Sequence, residues 1–80
     1  MRTAAELVKI TFKAKWARWE QVLLLWFLGY SYREIAAAMG ISKNTIRGHM
    51  RRACERWGAD NYRELFADAY EKYPTLGIEK

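Results

Sequence analysis

The sequence predicts an all-α domain of four helices, preceded by an N-terminal segment that is either a short strand or a helix. Three observations carry this. Apolar residues recur at helical spacing along 16–28, 42–57 and 61–73. Ser31-Tyr32-Arg33-Glu34 and Asn61-Tyr62-Arg63-Glu64 have the capping-box form that opens helices. Gly29, Gly40 and Gly58 stand where the apolar runs should stop.

Composition sets the scale. Eighty residues make one small domain, and such a chain buries only about 60% of its unfolded surface. It therefore needs a dense core or a partner. At 51% hydrophobic and 15% aromatic, with four Trp and five Tyr, the chain is too apolar to be disordered. Its single cysteine, Cys54, cannot form an internal disulfide and suits a reducing cytoplasm. The longest apolar run, 22–28, is far too short to span a bilayer. The reading is a cytoplasmic protein with no membrane partner.

The N-terminal segment, 1–15, is ambiguous. Val8, Ile10, Phe12, Ala14 and Trp16 alternate with Lys9, Thr11, Lys13 and Lys15, a period of two that reads as a strand with one apolar and one basic face. Against it stands Thr3-Ala4-Ala5-Glu6, a capping box for a helix. The strand is preferred. Along 16–28, Trp16, Trp19, Leu23, Trp26 and Phe27 form one stripe, with Leu24, Leu25 and Leu28 outside it. This helix is apolar on nearly every side, so something besides the main core must cover it. Ser31 then caps a short helix of good formers that ends at Gly40. Ser42 is the next N-cap, for a helix reaching Trp57 with Ile46, Met50, Ala53 and Trp57 inward. Asn61 opens the last helix, in which Leu65, Phe66, Ala69, Tyr70 and Tyr73 are available for packing, and Pro74 stops it. Residues 74–80 read as a flexible tail.

Two short helices joined by Met39-Gly40-Ile41-Ser42 form a helix-turn-helix candidate. In that motif the second helix enters the DNA major groove. With its apolar stripe inward, the arc left free holds Asn44, Arg47, Gly48 and Arg51. Arginine fits the guanine edge with two hydrogen bonds and asparagine the adenine edge, so these are the expected base readers. Thr45, His49, Arg52 and Arg56 flank the arc where phosphates would pass, and Ser42 with the first helical amides could hold another. The charge agrees. The net charge is +5 and the pI about 9.6, and residues 43–56 carry Lys43, Arg47, Arg51, Arg52 and Arg56 against Glu55. A basic balance favours polyanionic partners.

These residues resemble a known family. Gly29, Ser31, Arg33, Glu34, Ile35, Ala36, Ile41, Ser42, Thr45, Ile46, Arg47 and His49 follow the pattern of the LuxR/GerE-type DNA-binding domain. Gly58, Ala59, Asn61 and Glu64 resemble the turn that follows in that family. The likeness covers about residues 16 to 73, the expected DNA-binding domain. It implies a four-helix fold, base contacts at Arg47, Gly48 and Arg51, backbone contacts at Lys43, Thr45 and His49, and a last helix that often pairs subunits. The stretch 31–57 is also similar to the promoter-reading C-terminal domain of sigma factors, which uses the same motif and touches RNA polymerase. Gly58–Leu65 favours the LuxR/GerE likeness, because the sigma domain normally ends near the recognition helix.

Enzymatic activity is the weakest class. The chain has one His, one Cys, no metal-ligand cluster, no glycine-rich phosphate loop and no paired carboxylates on one face. No cofactor or metal is expected. The reading is a sequence-specific regulator of transcription that binds double-stranded DNA as a homodimer. Its expected interface draws on Val8, Ile10 and Phe12, as an antiparallel ribbon, or on Phe66, Tyr70 and Tyr73. The rival is a sigma-like or phage-type protein that binds RNA polymerase or another host protein.

Overall fold

In a computed structural model, residues 3–72 are described, and they form five helices: α1 (Ala4–Lys13), α2 (Arg18–Phe27), α3 (Tyr32–Met39), α4 (Lys43–Trp57) and α5 (Tyr62–Lys72). The all-α expectation holds, and the four expected helices appear in order. Helix α2 starts two residues later than Trp16. Tyr73 and the tail 74–80 lie outside the described residues.

Helix α2 is the hub, packing against each of the other four helices. Val22, Leu23, Leu24 and Leu25 are all at most 2% exposed. Leu24 and Leu25, outside the expected stripe, are thus nearly as buried as Leu23, and Leu28 is buried too, while Trp16, Trp19 and Trp26 sit half-buried at the margin. The two faces feed two clusters. Leu23 and Leu25 join Ile35, Ile46, Met50, Ala53 and Leu65, whereas Leu24, Phe27 and Leu28 meet Ala69 with Leu7 and Trp57 alongside. The missing cover is therefore helical, supplied by α1 on one side and α5 on the other.

The strand expected at 8–16 is overturned: residues 8–13 lie in α1 and 14–16 in the turn that follows it, and no strand occurs among the described residues. Thr3 Oγ1 accepts from the Glu6 amide at 3.2 Å, and the Glu6 carboxylate reaches back to the Thr3 amide at 3.4 Å. Ala4, Leu7 and Val8 pack on the core, and Thr11 beside them is buried. Those positions, spaced by three and four, follow the helical period. Thr11 hides it, because a hydroxyl stands where the pattern wants an apolar side chain. It donates to the Leu7 and Val8 carbonyls at 2.8 and 3.1 Å. The alternating pair Ile10 and Phe12, by contrast, stay 46% and 69% exposed. With Val8 spent on the core, the antiparallel ribbon that would have joined Val8, Ile10 and Phe12 across a two-fold cannot form.

The connection from α3 to α4 follows expectation. Ser31 Oγ accepts from the Glu34 amide at 3.1 Å and the Glu34 carboxylate from the Ser31 amide at 2.9 Å. Gly40 closes α3 at φ 66, and the amides of Gly40 and Ile41 both donate to the Ala36 carbonyl. A left-handed residue there costs glycine no strain. Ile41 packs against the main core. Gly58 ends α4 in the same way, at φ 68. The Asn61 cap of α5 is only half a box. Asn61 Oδ1 accepts from the Glu64 amide at 2.9 Å, but the Glu64 carboxylate accepts from Asp60 and not Asn61.

Candidate nucleic-acid interface

Helix α4 is seated by its apolar stripe. Ile46, Met50 and Ala53 are fully buried, and Trp57 is half-buried with its ring 6.4 Å from Trp19. A straight helix held along one side turns its opposite side to solvent. Asn44, Arg47, Gly48 and Arg51 are all exposed there, as are Lys43, Thr45, Arg52 and Arg56; His49 is half-buried. The N-terminus is locked by Ser42, whose Oγ accepts from the Thr45 amide at 3.1 Å and pairs with Thr45 Oγ1 at 2.9 Å.

Two of the expected base readers are already joined, since Arg47 Nη1 donates to Asn44 Oδ1 at 3.2 Å. That bond uses one of five guanidinium donors and leaves the Asn44 amide nitrogen to donate. The flanks differ. On one, Arg47 lies close enough to the Tyr32 hydroxyl to oppose the rise in its pKa, which burial and a hydrogen bond to Tyr62 produce. Tyr32 therefore stays a neutral hydroxyl beside the arginine. On the other flank, burial pushes the His49 pKa below its ordinary value, and the charges of Arg18 and Arg52 push it the same way. A neutral imidazole results at pH 7 in the free protein.

Arg18 was not among the expected contacts. It stands in the first turn of α2, exposed, with Nη2 donating to the Met39 carbonyl at 3.3 Å at the edge of the turn before α4. The signal for it lay in Gln21, a polar residue inside an apolar run, since a buried amide needs partners. Cys54 is half-buried, and burial with Glu55 raises its thiol pKa, so it remains protonated. An open cleft of about 350 Å³ between the ends of α4 and α5 is lined by Arg56, Trp57, Asp68, Glu71 and Lys72. Lys72 Nζ lies 5.1 Å from the Trp57 ring centroid, closing one wall. Among the described residues no group of three His, Cys, Asp or Glu is placed to hold a metal, and no helix is long and apolar enough to cross a membrane.

A cationic helix, capped and held by its apolar edge across a tight left-handed turn, is the geometry of a groove-reading motif. Comparison with known families agrees: residues 20–56 match the family described as Sigma-70, region 4. The chain carries a helix-turn-helix domain related to sigma factors. No curated protein and no solved structure matches it. Of the two resemblances in the sequence, the family match falls on the sigma pattern; the LuxR/GerE type is a related helix-turn-helix. The match ends at Arg56, just short of the Gly58–Glu64 turn on which the choice between them rested. Sigma-70 region 4 is a DNA-binding, non-enzymatic domain type, so the match suggests a transcription-related role.

Proposed function

We propose that this protein is a sequence-specific regulator of transcription, cytoplasmic, that reads the major groove of double-stranded DNA with α4. The observation that carries the reading is the exposure of Asn44, Arg47, Gly48 and Arg51 on one arc, opposite the buried Ile46, Met50 and Ala53. Arg47 and Arg51 each fit a guanine edge, Asn44 an adenine edge, and Gly48 lets the helix backbone come close to the bases. Ser42, Lys43, Thr45, His49, Arg52 and Arg56 hold phosphates on either side and set the register. A single domain of this size reads few base pairs, so the chain works as a homodimer on a two-fold site. With the ribbon excluded, the pairing surface is α5, where Phe66 and Tyr70 are 45% and 65% exposed.

Selection of preferred sites from a random DNA pool tests this. One dominant site should emerge, and Arg47→Ala or Arg51→Ala should cost about 1–3 kcal/mol there and relax the choice of base. Equal weakening of random and selected DNA would remove that residue from the base readers.

The second reading is a sigma-like or phage-type protein that docks on RNA polymerase, favoured by the family match itself. It predicts that the purified chain selects no site alone and does so once polymerase is added.

A further inference from the structure

Gln21 sits in the middle of the most apolar helix of the chain and is 1% exposed. Its Nε2 donates to Thr11 Oγ1 at 2.9 Å and to the Val8 carbonyl at 3.1 Å, both on α1. Thr11 is itself buried and held by the Leu7 and Val8 carbonyls. The other end of the amide meets Arg18. Gln21 Oε1 accepts from Arg18 Nη1 at 3.4 Å, while Arg18 Nη2 reaches the Met39 carbonyl. One run of hydrogen bonds thus leads from α1, through α2, to the rim of the turn that launches the recognition helix. The two bonds to Arg18 are long, at 3.3 and 3.4 Å, and leave the rest of its five donors on an exposed side chain.

We propose that Arg18 contacts a DNA phosphate from outside the recognition helix, and that Gln21, clamped by Thr11, is the positioning residue that aims it. Arg18 stands near enough to His49 on α4 for its charge, with that of Arg52, to add to burial in lowering the His49 pKa. Cations gathered on one flank repel one another, and a phosphate among them relieves that repulsion. Helix α1 thereby becomes part of the DNA-binding apparatus without touching DNA. The inference rests on the DNA-binding reading above.

Binding of the full chain to a random-sequence duplex, measured across a salt series, tests it. Arg18→Ala should lower the slope of log affinity against log salt by about 1, the signature of one lost phosphate contact. Gln21→Met should weaken binding severalfold in the otherwise native chain and have no effect in the Arg18→Ala background, where no guanidinium remains to be aimed. Should Gln21→Met fail to fold, Thr11→Val carries the same comparison, with Thr11→Ser, which keeps the hydroxyl, binding normally. An unchanged slope for Arg18→Ala beside a lowered slope for Arg52→Ala would overturn the inference and leave the DNA reading standing. Equal effects of Gln21→Met in both backgrounds would reduce Gln21 to a purely structural residue. If the native chain's own affinity does not fall with salt, the DNA reading itself falls.

Discussion

His49 is the residue of the candidate interface whose charge can change near neutral pH. Burial and two neighbouring arginines depress its pKa, so the free protein holds it neutral. A phosphate beside it would favour the charged form, so its pKa in the complex should exceed that in the free protein. Binding then takes up a proton. Affinity gained this way is fully present below the free-protein pKa and is lost as pH rises through the higher value in the complex. Affinity measured from about pH 8 to about pH 5.5, around the ordinary histidine value, should therefore rise as pH falls. His49→Gln should remove that component, and an unchanged profile would take His49 away from the backbone. The same depressed pKa has the opposite sign for folding. The unfolded chain binds the proton more readily, so stability falls as pH drops through the ordinary histidine range. Gly48 offers a second test at this scale. A Cβ added there meets nothing within 4 Å in the free protein. Gly48→Ala should thus stabilise the helix by about 1 kcal/mol, yet weaken DNA binding if the backbone approaches the bases. A higher melting temperature with unchanged affinity would mean that it does not.

At the scale of elements, two helix ends share one backbone conformation and differ in the residue that adopts it. Gly40 holds φ 66 and Lys15 holds φ 63. After α1, the Lys15 amide donates to the Phe12 carbonyl and the Trp16 amide to the Thr11 carbonyl, a left-handed helix closure built on lysine. A side chain in this region costs about 1 kcal/mol more than glycine. Lys15→Gly should stabilise the domain by about that amount, whereas Gly40→Val should destabilise it by more. Thermal unfolding of the pair checks both signs, and shifts in the same direction would mean that one closure is misplaced. The same two ends show what the sequence made legible. Gly40, Ser31, Ser42 and Ile46 announce the turn and its flanking helices, because capping and periodicity act locally and leave a mark in the residue types. The end of α1 carries no such mark, since Lys15 sits where glycine would have signalled a stop. Helix α1 is masked for a related reason: Thr11 occupies a core position and Ile10 and Phe12 occupy exposed ones, so the apolar pattern opposes the true burial. The local mark that favours α1 is the Thr3–Glu6 capping box; the bond from Gln21 that satisfies the buried Thr11 is tertiary, and no local pattern encodes it. The exposure of Asn44, Arg47, Gly48 and Arg51 was legible from the apolar stripe opposite them, whereas Arg18's place beside the turn was not, because it depends on how α2 lies against α3 and α4.

Across the whole molecule, charge and aromatic surface are segregated. Helix α4 carries five exposed cations against Glu55, while α5 sets Glu64, Asp68 and Glu71 against Arg63 and Lys72 and adds an exposed row of Tyr62, Phe66 and Tyr70. The row is rooted in the core, since Phe66 stands 5.8 Å from Trp26 and 5.2 Å from Phe27, and Tyr70 lies 6.4 Å from Phe27. Aromatic groups that are firmly held yet open to water suit a partner surface. If that partner is a second copy, Tyr70→Glu should sediment as a monomer with little loss of thermal stability. It should bind a two-fold site far more weakly than the native chain, but a half-site equally well. A native chain that stays monomeric at high concentration and on its site would end the dimer reading and turn the surface toward another protein.

The proposed role of the whole molecule depends on α4 reading DNA sequence. Equilibrium binding of the native chain to its selected site and to a random duplex, side by side from low to high salt, tests it most directly. Both affinities should fall steeply with salt as released counterions lose their effect, and the selected site should keep an advantage of 10³-fold or more, roughly the range of specific readers. Affinity that ignores salt, or an advantage near unity at every salt concentration, would contradict it.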